Sequence, residues 1–167
     1  MKENANLRKW CALLTAIITY YIIHEGAHVI MALFFGTFER IQMLGLGVQV
    51  VTQTELMSNW QLGLFSIIGS VSTLCAAYLL LALTGHIIKS GSRLIKAVGY
   101  YTTFALLLLD PIYLAFLYKF VGGGDMNGIK LLLLPELAWQ IIYGLIAAAN
   151  LLLIARYVYP AYKKAFN

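Results

Sequence analysis

Four stretches of this 167-residue chain are each long and apolar enough to cross a lipid bilayer. A spanning helix needs about 20 mostly apolar residues, and the stretches fall at about 11–35, 61–83, 97–120 and 133–157. Composition points the same way. Hydrophobic residues make up 61% of the chain and charged residues only 11%, against about 25% charged in a soluble domain. Too few charges exist to coat a water-facing surface. A soluble globular enzyme, a disordered chain and a collagen-like repeat are excluded. No internal repeat, low-complexity tract or second domain is visible, so residues 1–167 read as one transmembrane domain.

The segment Ile41–Val51 is too short to span, carries two glycines and ends on β-branched residues. An extended strand or hairpin lying against the membrane suits it better than a helix. The expected fold class is therefore an all-α membrane protein with about four transmembrane helices and a short membrane-associated β strand or hairpin after the first. The first span begins like a signal peptide, behind Lys2, Arg8 and Lys9, but is too long and lacks a small-residue cleavage site. It reads as a retained helix. In the second, Gly69, Ser70, Ser72 and Thr73 suit close helix packing. Cys11 and Cys75 both lie in apolar runs and form no CxxC pair or disulfide framework.

The formal charge is +5, from 12 Lys and Arg against 7 Asp and Glu. The bases flank the spans, where they set orientation and meet anionic headgroups rather than nucleic acid. Four spans put both termini on one side. That side carries Lys2, Arg8, Lys9, Lys89, Arg93, Lys96, Arg156, Lys163 and Lys164; the other carries only Arg40, Lys119 and Lys130. The bias predicts a multi-pass protein of the cell membrane with both termini cytoplasmic.

Within the first span stand His24, Glu25 and His28, in the run IIHEGAHVI. Ionisable groups near a bilayer centre cost on the order of 2.5–3.5 kcal/mol each and by default indicate function. Histidines at i and i+4 share a helical face and can aim two imidazoles at one zinc ion. The adjacent glutamate can act on water there as a general base. Given this chain's few histidines and glutamates, the pattern arises by chance with a probability of roughly one in a thousand. Polar packing between spans is the competing explanation.

A catalytic zinc commonly has three protein ligands and one open position. His86 is the weakest candidate for the third, because it falls in a loop on the cytoplasmic side. Asp125 follows three consecutive glycines in VGGGDMNGI, a stretch that unwinds readily and can line a cavity at membrane depth. It shares the histidines' predicted side, and as the carboxylate at a break leading into the fourth span it is the favoured ligand. Asp110, in LLLLDPIYL ahead of Pro111, is the alternative ligand or a partner that orients a histidine.

With HEGAH in its first hydrophobic helix, a strand-like stretch, a second span and a late aspartate, the chain resembles the site-2 protease family of intramembrane zinc metallopeptidases. The likeness covers roughly residues 11–130, and HEGAH is its one sharp motif. It implies that His24, His28 and Asp125 bind zinc and that Glu25 activates water for peptide-bond hydrolysis. The family's Asn-Pro stretch ending in Leu-Asp-Gly is absent, Gly69-Ser70 stands where Gly-Pro is common, and no PDZ domain is present. The chain thus looks like a minimal, divergent member. The resemblance implies a transmembrane protein as substrate, and Ile41–Val51 could pair with it as an added strand. A non-enzymatic metal-binding chaperone, or a subunit that recognises transmembrane partners, is the alternative.

Overall fold

The computed structural model describes residues 4–45, 47–122 and 124–166. Lys2 of the charge count, Leu46 of the strand-like segment and Gly123 of the glycine run lie outside them. Four helices among the described residues are long and apolar enough to cross a membrane: α1 (Ala5–Phe34), α2 (Asn59–Ile87), α3 (Arg93–Val121) and, after a short helix, the last one, Glu136–Phe166. The short helix, Gly124–Ile129, is α4, and the last is α5. A two-stranded antiparallel hairpin, β1 (Phe38–Leu44) and β2 (Gly47–Thr52), joins α1 to α2. The chain is thus a multi-pass α-helical membrane protein with a hairpin after its first helix.

Helices gain nothing from hiding apolar surface from one another when lipid already surrounds them, so close approach of small residues drives their packing. The buried residues of α2 are Gly63, Ser66, Gly69, Ser70, Thr73, Ala77 and Thr84, all of them small. The buried alanines of α1, which packs on α2 and α3, are Ala12, Ala16, Ala27 and Ala32. Ser70 and Thr73 of α2 are paired across helices, since lipid offers them no partner. Tyr143 of α5 reaches Ser70 Oγ at 2.6 Å. Tyr118 donates to Glu136, whose carboxylate also meets Lys119 at 3.4 Å, tying the end of α3 to the start of α5.

Pro111 sits inside α3 and removes the N–H that would pair with the carbonyl of Leu107. Asn150 of α5, fully buried, donates to that carbonyl at 2.7 Å and accepts from Tyr78 of α2. Beyond the proline, α3 passes through a π-helical turn at Tyr113–Leu117, a common adjustment where a helix ladder is interrupted.

The element ends have local causes. Ser58 and Gln61 form a reciprocal capping box at the start of α2, and Ser92 caps α3. Pro135 caps α5, so that helix starts at Glu136 rather than near residue 133, and it runs on to Phe166. Gly36, at φ 69°, turns the chain from α1 into β1. The hairpin is fixed to that turn, because Thr52 Oγ1 and Gln53 N–H both donate to the Thr37 carbonyl.

Candidate metal centre

His24 and His28 are buried on the α1 face that meets α2 and α3. One turn earlier on the same face stands Tyr20, whose hydroxyl donates to Asp110 Oδ1 at 2.6 Å. Asp110 is fully buried. It also accepts from Thr73 of α2 and lies 3.2 Å from His24 Nδ1. Three donors therefore surround a carboxylate that would be prohibitively costly alone in an apolar interior. His28 Nδ1 donates to the backbone carbonyl of Phe65 at 2.8 Å.

These contacts settle which ring nitrogen faces where. With both Nδ1 atoms turned to these outer partners, the two Nε2 atoms face inward, 3.2 Å apart. Asp125 joins them, with Oδ2 at 3.2 Å from His24 Nε2 and Oδ1 at 3.6 Å from His28 Nε2. Two imidazole nitrogens and a carboxylate thus converge, a set of donors that could hold a metal ion. Zinc bonds of about 2.0–2.1 Å in a tetrahedron place their donor atoms about 3.3 Å apart, close to the three separations found.

Gly69 provides the second indication of fit. A Cβ built there would lie 2.6 Å from His28 Nε2 and 2.7 Å from His24 Nε2. Only a residue without a side chain leaves room for the two imidazoles at this point of α2.

Asp125 is delivered by α4. This helix is pressed onto α2 so closely that a Cβ on Gly128 would fall 1.9 Å from Ser66 Oγ and 2.9 Å from the Leu62 carbonyl oxygen. Met126 and Ile129, both fully buried, anchor its other side against Leu114, Tyr118 and Tyr143. With α4 held from two sides, Asp125 in its first turn faces the histidines. Between the break at Asp125 and the last span lie the rest of α4 and a turn. Gly122, at φ 99°, ends α3 and permits the reversal.

Glu25 takes a different environment. It lines a cavity of about 760 Å³ together with His24, His28, Asp125 and the whole of β2. Its Oε2 accepts the N–H of Val50 at 3.2 Å. Val50 stands opposite Ile41 in the hairpin, so a backbone donor of β2 points away from β1 and into the cavity. By the period of two along a strand, Val48 presents its main-chain groups on the same edge. His86 is exposed near the end of α2 and does not line this cavity.

The candidates His24, Glu25, His28, Asp110 and Asp125 are thus brought together. Sequence reasoning missed the roles of Tyr20, Gly69, Gly128 and the Phe65 carbonyl. Tyr20 carried a usable signal, the i, i+4 spacing Tyr20-His24-His28. No family model, curated protein or solved structure matches this chain.

Proposed function

We propose that the chain is an intramembrane zinc metallopeptidase of site-2 protease type, which hydrolyses peptide bonds of transmembrane substrates. The observation that carries this reading is the convergence of His24, His28 and Asp125, with Gly69 against the two imidazoles and Glu25 beside them in an open cavity. His24, His28 and Asp125 would hold the ion, with Asp110 orienting His24. Zinc bound there supplies Lewis acidity and brings the pKa of water down towards about 7.

The protein's own groups do the rest. Glu25 takes the proton of the attacking water and passes it to the leaving amine. A helical substrate hides its carbonyls, so it must be extended before it can react. The outward edge of β2 offers main-chain partners to such a segment, and the cavity it borders is of a size that holds ligands in proteins generally. The excess of bases at the end carrying both termini supports a cell-membrane protein with cytoplasmic termini.

The test is cleavage of single-span membrane substrates by zinc-loaded wild type and zinc-loaded Glu25→Gln. Wild type should cleave, and Glu25→Gln should lose at least about 100-fold while keeping its metal. Equal cleavage by both would sink the mechanism. Zinc bound by wild type without hydrolysis of any substrate would favour the metal-binding chaperone instead.

A further inference from the structure

Glu25 and the outward edge of β2 meet in one hydrogen bond. Glu25 follows His24 directly, so its side chain is turned about 100° round α1 from the imidazole. Its Oε2 accepts the Val50 N–H at 3.2 Å. Val50 is buried, whereas the rest of β2 is half-buried or exposed. Just beyond it, Thr52 Oγ1 and Gln53 N–H tie the hairpin to the Thr37 carbonyl. The Val50 N–H therefore has a fixed place on the cavity wall.

That N–H has two claimants. Val50 stands opposite Ile41 and turns its main chain away from β1. A strand added to β2 would exchange two hydrogen bonds with it, accepting from the Val50 N–H and donating to the Val50 carbonyl. The first of these is the bond that Glu25 already holds. One N–H serves one well-aligned acceptor, and a carboxylate is a strong one. An incoming segment prevails through further bonds, at the Val50 carbonyl and along Val48, that Glu25 cannot make. The displaced carboxylate stays in the cavity that it lines with His24, His28 and Asp125.

We propose that the Val50 N–H holds Glu25 back while β2 is unpaired, and that an extended substrate segment frees the carboxylate for the attacking water by taking that N–H. The strand that orients the substrate thus also triggers the base. The role of Glu25 towards water rests on the peptidase reading; the exchange of acceptors at Val50 does not.

The probe is a fluorophore-tagged peptide of alternating valine and threonine, bound to the full chain in detergent with EDTA present to stop hydrolysis. Fluorescence anisotropy reads its affinity. Glu25→Ala should bind it on the order of 3–10-fold more tightly than wild type, since the competitor for one hydrogen bond is gone. Val50→Pro removes the N–H and leaves the β1 ladder alone, because that N–H points away from β1. In this background Glu25→Ala should bring no gain. Amide exchange at Val50, followed by NMR, should be at least about 10-fold faster in Glu25→Ala and slow again when the peptide is added. This readout remains decisive if the proline variant folds poorly. No tighter binding by Glu25→Ala, a gain that persists with Val50→Pro, or unchanged amide exchange would overturn the proposal. Absence of binding even to Glu25→Ala would overturn it as well. Since nothing is cleaved in these measurements, a chain without peptidase activity can show the exchange and an active peptidase can lack it, so the two readings fail separately.

Discussion

A methyl group on Gly69 would lie 2.6 and 2.7 Å from the two histidine Nε2 atoms and force the imidazoles to move. Gly69→Ala is accordingly expected to lose most bound zinc while remaining helical, because the backbone of α2 is packed too closely to retreat. Metal analysis with circular dichroism checks this; a variant with its full zinc complement would show that the two imidazoles bind metal without needing that room. The residue scale also shows what a sequence exposes. His24 and His28 were legible because one helix fixes their spacing whatever surrounds it. Asp125 was reached by depth and by weighing it against Asp110, since nothing local ties it to α1. Gly69 read only as a packing residue, as small residues in spans generally do, and its closeness to the histidines depends on how α1 and α2 cross. The Phe65 carbonyl that fixes His28 could not be foreseen, because every residue carries one.

Among elements, the interrupted helix α3 depends on its neighbour. Asn150 fills the partner position that Pro111 leaves empty at the Leu107 carbonyl. Asn150→Ala would strand that buried acceptor and the Tyr78 hydroxyl, at a cost of about 1–3 kcal/mol. The expected result is a lower melting temperature with zinc retained, measured by thermal unfolding in detergent together with metal analysis; unchanged stability would mean that water replaces the amide. The four long helices and the hairpin were legible from apolar length and from the brevity of Ile41–Val51. The short helix α4 was not, since six residues with two glycines carry no periodic pattern. Its helicity comes from Met126 and Ile129 docking on one side and Gly128 closing against Ser66 on the other. Gly122 thus serves chain reversal and Gly128 close packing.

At the scale of the whole molecule, the charge bias orients the bundle. In a background lacking Cys11 and Cys75, single cysteines at Ser90 and Asn127 should react from opposite faces, with Asn127 labelled from outside intact cells. Labelling of both from outside would overturn the four-span topology. The His-His-Asp cluster lies between Asp110, buried among the helices, and a cavity bordered by β2, so its chemistry stands on the identity of the third donor. The most direct measurement is the zinc content of purified variants at matched fold. Wild type and Glu25→Gln should carry about one zinc per chain, whereas His24→Ala, His28→Ala and Asp125→Ala should carry almost none. Asp110→Ala should keep the ion with affinity lowered about 10–100-fold. Zinc retained by Asp125→Ala and lost from Asp110→Ala would contradict the account.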